Sequence, residues 1–321
     1  MTQCINCGNE IIGAERYCSC CGTFLKDALL DVRFLASSGS GPELTKLSPQ
    51  ENSNELMRSS YEFVPYVSPV NKKLLELHKG QTAVLYAINM NDHLMPAVLP
   101  QIACEAVGGR SWDALVLSYS YSLGLIAGRI CDDIMDRTSE RRGKKTVWKE
   151  FGEPVAIPLS FWLVSEMFEA LSAYDSILGR TESDRLMRTF RSALGESSRA
   201  EEEEKLAKRS KADLTFEEGL RLAQGKRGIL IAAGTAAGGI VGKGSEEEIL
   251  LLKNYGMYMG TANQLFDDSG DPDYPKSYRE KALSESRDLT AEAVKCTDKL
   301  RRTEAQRKLR NLSKISEVPL I

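Results

Sequence analysis

From residue 69 onward the chain carries apolar residues at helical spacing almost throughout, with no alternating series that would pair as β-strands. The segments fall at 71–90, 94–107, 112–136, 155–178, 182–208, 216–240, 246–268 and 278–308, punctuated by Gly, Pro or charged clusters. Several are rich in Leu, Ala and Met with few polar interruptions. Such helices need burial on most sides, as at the centre of a large all-α bundle. The 321 residues suffice for one large domain of this kind with room for a small module. With 42 Lys and Arg against 45 Asp and Glu, the net charge of −3 provides no basic field for a nucleic-acid partner.

The small module is expected at residues 1–27. Cys4-x2-Cys7 is followed by Cys18-x2-Cys21, each pair with a Gly directly after it, at Gly8 and Gly22. A C-x2-C turn folds back so that both sulfurs reach one ion, and two such turns form a closed tetrahedral S4 site suited to structural Zn²⁺. Cys20 offers a second register, but the Cys-Gly pairing favours Cys21. A zinc ribbon with a possible protein partner is therefore expected. Residues 28–68, rich in Ser, Gly, Pro, Asn and Glu, read as a flexible linker, and 69–321 as the helical domain. The polar N-terminus lacks a secretory pattern, and the Gly- and Ala-rich stretch 228–242 is too short to span a bilayer. The expectation is a cytoplasmic protein without a transmembrane segment.

Two acidic motifs carry the chemistry. Asp132-Asp133-Ile134-Met135-Asp136 ends the apolar segment 112–136, and Asp267-Asp268-Ser269-Gly270-Asp271 ends 246–268 with the same i, i+1, i+4 spacing. Asp132 and Asp136 lie one turn apart on one helical face. Carboxylates at the end of an apolar helix are costly unless a cation neutralises them, and oxygen-only donors select a hard ion such as Mg²⁺. Gln264 sits one turn before Asp268. Cations follow at Arg137, Arg141, Arg142, Lys144 and Lys145, and again at Lys226 and Arg227, where arginine forks suit diphosphate oxygens. Glu201–Glu204 with Lys205 and Lys208 read as a solvated helix face with i, i+4 pairs.

These residues, with Phe151-Gly152 and Leu214-Thr215-Phe216-Glu217-Glu218 before Lys226, resemble the trans-isoprenyl diphosphate synthases, the polyprenyl synthetase family, over about residues 70–310. The resemblance implies an isoprenoid synthase-type helical bundle with a central cavity, usually a homodimer. It implies a transferase of isoprenoid biosynthesis that joins an allylic diphosphate to isopentenyl diphosphate. Asp132, Asp133, Asp136, Lys226, Asp267 and Asp268 would be catalytic, and Asp132, Asp136, Asp267 and Asp271 would hold two or three Mg²⁺. Arg110, Arg141, Arg142, Lys226 and Gln264 would bind diphosphate. Tyr121, Gly124, Ala127 and Gly128, below Asp132, would line the chain-length pocket, and the small ones imply a product of geranylgeranyl length or longer.

The isopentenyl diphosphate half departs from the family pattern. Gly108-Gly109-Arg110 stands for a Gly-Gly-Lys-Arg loop, with Asp113 where a further Arg is expected. Leu125 replaces a His or Gln, and Arg227 follows Lys226 where Thr is usual. A divergent member acting on another acceptor, or a non-elongating partner subunit, is the alternative.

Overall fold

The computed structural model describes residues 2–3, 10–11, 64–90, 95–141, 143–210 and 214–314. Cys4, Cys7, Cys18, Cys21 and Arg142 lie outside the described residues, as does most of the expected linker. Near the N-terminus, β1 (Thr2–Gln3) and β2 (Glu10–Ile11) pair antiparallel.

The rest is almost wholly helical. The expected single segment 71–90 is two helices, α1 (Val64–Leu77) and α2 (Thr82–Met90). Gly80 at φ +88° makes the break, a left-handed turn that side chains with a Cβ rarely adopt. His78 in this turn is buried, its ring nitrogens 3.1 Å from Gln81 Oε1 and from the Tyr119 hydroxyl. After α3 (Met95–Ala106), a 3-10 turn at Ser111–Ala114 leads into the central helix α4 (Leu115–Met135). Its start is pinned by Tyr174, whose hydroxyl accepts from the Leu117 N–H at 3.1 Å and donates to the Asp113 carbonyl at 2.8 Å. Leu117, Leu123, Ile126 and Ile130 bury along α4, each side chain contributing about 2 kcal/mol to the core.

A short hairpin, β3 (Glu140–Arg141) with β4 (Lys144–Lys145), follows α4. Then come α5 (Val147–Phe151), α6 (Glu153–Ser172), α7 (Asp175–Leu178) and the long α8 (Arg180–Ser210). The segment expected at 216–240 is α9 (Phe216–Ala223), a π turn at Gln224–Gly228 and α10 (Ile229–Val241). Helix α11 (Glu246–Gly270) starts at a capping box in which Ser245 and Glu248 satisfy each other's backbone N–H groups. The expected 278–308 splits into α12 (Lys276–Asp298) and α13 (Glu304–Lys314). The main packing partners are α4 with α6, α3 with α10, and α11 with both α10 and α12. Helices α10 and α11 approach closely at a glycine: a Cβ on Gly256 would lie 2.7 Å from the Ile231 carbonyl oxygen, and one on Gly260 would lie 2.7 Å from that of Arg227 in the π turn.

Two stretches, 111–135 and 153–178, are long and apolar enough to cross a membrane by length and composition. The first is 72% buried within the bundle and is its core helix. The second is 39% buried and exposes Val155, Ile157 and, at 74%, Phe161.

Candidate active site

The first acidic motif ends α4. Asp133 is 3% exposed, and its Oδ1 accepts from Arg141 Nε at 2.6 Å. The hairpin makes this possible. Thr138 takes two donors on its carbonyl, Thr146 Oγ1 at 2.7 Å and Trp148 Nε1 at 2.8 Å, which folds the chain so that Arg141 returns to α4. Asp136, one turn on from Asp132, is exposed and accepts from Lys205 of α8. Burial, together with the Glu201 charge, pushes the Asp132 carboxyl up to about 6, against the opposing pull of Lys226 and Arg129.

The second motif ends α11. Asp268 is buried and accepts from Gln264 Nε2 at 2.8 Å. Burial raises its pKa to about 6, while Gln264, Lys226 and Arg227 act in the other direction. Asp267 Oδ2 accepts from Arg227 Nη1 at 2.6 Å. Asp271 caps the helix end and accepts from the Asp273 N–H at 2.9 Å. Lys226 and Arg227 belong to the π turn, a distortion that re-aims side chains within a continuous helical run.

Between the motifs runs α8, and here the sequence reading is corrected. Glu201–Glu204 is not a wholly solvated face: Glu204 is 5% exposed and lies 2.8 Å from Lys226 Nζ, with Glu201 at 3.1 Å. Burial works to lower the Lys226 pKa, but the two glutamates overcome it and raise the value. Glu201 also acts on Asp132, and Glu204 on Asp268. Contacts bring both motifs to this place: Lys205, next to Glu204, bonds Asp136 of the first motif, and Arg227, next to Lys226, bonds Asp267 of the second, so the two helix ends border one cleft. The spacing Glu201-x2-Glu204 is one helical turn, a signal that was present in the sequence but lacked an indication of which face meets α4 and α11.

The donors suit a hard cation. They are all carboxylate or amide oxygens, and Asp132 and Asp268 are held in environments that penalise their own charge. Among the described residues no three His, Cys, Asp or Glu side chains converge to enclose an ion. Paired carboxylates fit Mg²⁺, which retains water and takes phosphate oxygens.

Other expected residues stand apart. Arg110 is exposed and bonded through Nε and Nη2 to both oxygens of Asp113, at 3.0 and 2.8 Å, so its fork is already satisfied. Below Asp132, the helical face of α4 carries Gly128, Leu125 and then Tyr121. Gly128 is exposed, with nothing within 4 Å of a Cβ position. Tyr121 is buried, its hydroxyl donating to the Leu230 carbonyl at 2.9 Å and its ring packed beside Gly234 and Phe190. Gly124 instead meets α6, where a Cβ would lie 2.7 Å from Met167 Sδ, and Ala127 is in the core on another face.

A family model described as Polyprenyl synthetase matches residues 125–314. The geranylgeranyl pyrophosphate synthase 6, mitochondrial, of Arabidopsis thaliana is 34% identical over 241 residues, 71% of this chain and 67% of that protein. The short chain isoprenyl diphosphate synthase of Methanothermobacter thermautotrophicus is 33% identical over 190 residues; the match spans 56% of this chain and just over half, 57%, of that one. In fold, the geranylgeranyl pyrophosphate synthetase of Pyrococcus horikoshii Ot3 superposes with a TM-score of 0.73 at 21% identity, covering 82% of this chain and 99% of that one.

Proposed function

The chain belongs to the polyprenyl synthetase family, and from that premise we propose that it is a trans-prenyltransferase. It condenses an allylic diphosphate with isopentenyl diphosphate to give a longer trans-prenyl diphosphate. The observation that carries this reading is the placing of Lys226: its Nζ meets Glu204 of α8 at 2.8 Å beside Lys205, which bonds Asp136 of the first motif, and its neighbour Arg227 bonds Asp267 of the second at 2.6 Å. A cation flanked by two acidic helix ends suits the binding and release of diphosphate.

In the reaction, the allylic C1–O bond breaks and its electron pair leaves with the pyrophosphate. The double bond of isopentenyl diphosphate attacks C1, and a proton is then lost to the pyrophosphate. Mg²⁺ held by Asp132, Asp136, Asp267 and Asp271 would supply charge neutralisation to the leaving group. Lys226, Arg141 and Gln264 hold the pyrophosphate oxygens as charge develops on them, and Asp133 holds Arg141 in place. Tyr121 and Gly128 line the path of the growing chain, with a product of geranylgeranyl length or longer.

Three further assignments belong to this reading. Ile157 and Phe161, one turn apart on α6, leave an exposed apolar patch that a second copy of the chain would cover, making a homodimer. Cys4, Cys7, Cys18 and Cys21 bind structural Zn²⁺ in a separate N-terminal module joined by a linker, which would serve to dock a protein partner. The protein works in the cytoplasm.

The test is turnover with Mg²⁺, labelled isopentenyl diphosphate, and dimethylallyl, geranyl, farnesyl or geranylgeranyl diphosphate in parallel. Label in a longer prenyl diphosphate, absent with Asp132→Ala, is the expected result. No incorporation with any primer would refute the condensation.

A further inference from the structure

Around the cleft, cations and carboxylates pair off. Arg141 is held by Asp133, Lys205 by Asp136, Lys226 by Glu201 and Glu204, and Arg227 by Asp267. Arg129 is the exception: it is half-buried on α4, one turn before Asp133, and makes no hydrogen bond or ion pair with the described residues. Burial and the nearby charges of Arg141 and Arg227 work against its protonation, with Asp132 and Asp133 in partial compensation. A guanidinium keeps its proton even so, which leaves the Arg129 charge half-buried without a bonded counter-charge among the described residues, while Arg141 and Arg227 nearby are each held by an aspartate.

A second group in the same place is also unsatisfied. Asn263 of α11 is 2% exposed. Its Oδ1 accepts from Arg227 Nη1 at 2.5 Å, but its Nδ2 has no acceptor among the described residues. Buried amide donors are rarely left so, and each such group calls for an acceptor. Arg227 links the two, bonded to Asn263 and in the field of Arg129. A group bearing acceptor oxygens and negative charge would satisfy both.

We propose that Arg129, Arg227 and Asn263 form an anion subsite of the cleft that takes a phosphoryl group of a diphosphate substrate. The inference rests on the diphosphate chemistry proposed above and assigns residues that the two acidic motifs do not include. Arg129 lies within the apolar run of α4, three residues before Asp132, so it reaches the cleft from the same helix that carries the first motif. With Arg110 engaged by Asp113, the subsite supplies guanidinium donors that the Gly108-Gly109-Arg110 loop does not.

The experiment is calorimetric titration of the full chain with inorganic diphosphate, without divalent cation, alongside thermal denaturation of each variant. Arg129→Leu should weaken binding about tenfold or more, the loss of a charge-assisted bond, with Arg129→Lys in between. Asn263→Ala should weaken it by a smaller factor. Arg185→Ala, which removes a half-buried arginine paired with Glu246 in another part of the sequence, should bind as the wild type does. Should Arg129→Leu fail to fold, Arg129→Lys and Asn263→Ala carry the test. Unchanged affinity in folded Arg129 and Asn263 variants overturns the subsite, as does a wild type that binds no diphosphate. Turnover separates the two readings. A wild type that elongates no primer but binds diphosphate through Arg129 keeps the subsite and refutes the condensation. A wild type that elongates, with variants binding normally, does the reverse.

Discussion

Lys226 Nζ lies 2.8 Å from the carboxylate of Glu204, across 22 residues of sequence and in the interior of the cleft. The side chains are 14% and 6% exposed, so solvent screens the pair little. Removing one partner of such a pair leaves a buried charge uncompensated, at a cost of about 3–5 kcal/mol. Lys226→Met should lower the thermal midpoint clearly, and Glu204→Gln in the same chain should restore part of it. In turnover, Lys226→Met should lose roughly 100-fold or more in kcat/KM, and the double variant should not recover it. Additive melting effects in the double-mutant cycle would show that the pair is not coupled.

The raised carboxyls make the metal-free protein sensitive to pH. Asp132 and Asp268 titrate at about 6 in the fold, against 3.8 when unperturbed. Between these values the folded chain holds protons that the unfolded chain has lost, so stability falls as pH rises from about 4 to 6. The penalty is full above pH 6 and amounts to at most about 3 kcal/mol per group. Without divalent cation, Asp132→Asn should therefore raise the thermal midpoint by a few degrees at pH 7.5 and hardly at all at pH 4. Calorimetry at the two pH values checks this; an equal shift at both would remove burial of the charge as the cause.

The acidic motifs were legible in the sequence because their i, i+4 spacing and their position at the ends of apolar helices need no tertiary information. The pairs that neutralise them were not. Lys205 meets Asp136 across 69 residues and Arg227 meets Asp267 across 40, and both depend on how α8, α10 and α11 are rotated against α4. Glu201–Glu204 misled for the same reason: a run of like charges looks solvated until the helix on either side is known. Arg129 was hidden inside an apolar run where a single cation looks incidental. Helix ends failed where a local break, such as Gly80 or the turn before α13, interrupts a pattern that is otherwise continuous.

The close approach of α10 and α11 sets the position of the π turn. An added methyl at Gly260 would meet the Arg227 carbonyl oxygen at 2.7 Å and Gly228 Cα at 2.8 Å, both backbone atoms with no rotamer to yield. Gly260→Ala should cost about 1–3 kcal/mol and push Lys226 and Arg227 out of register with Asp267. Its kcat/KM should fall by more than its loss of stability at assay temperature explains. A variant that melts lower yet turns over normally would show that the turn tolerates the shift.

Product length should follow the face of α4 rather than its small residues as a class. Tyr121, Leu125, Gly128 and Asp132 fall at i, i+4, i+7 and i+11, so they stack on one side. Gly128 has open space where a Cβ would be, and a Phe there would enter the proposed path directly below the first acidic motif. Gly128→Phe should shift the product toward shorter chains, and Tyr121→Leu, which removes the ring held by the Leu230 carbonyl, toward longer ones. Gly124→Ala discriminates: its methyl runs into Met167 on α6, so it should lower stability and leave the product distribution alone. Chromatography of the dephosphorylated products reads all three. Shorter chains from Gly124→Ala with none from Gly128→Phe would place the path on the α6 side of the helix instead.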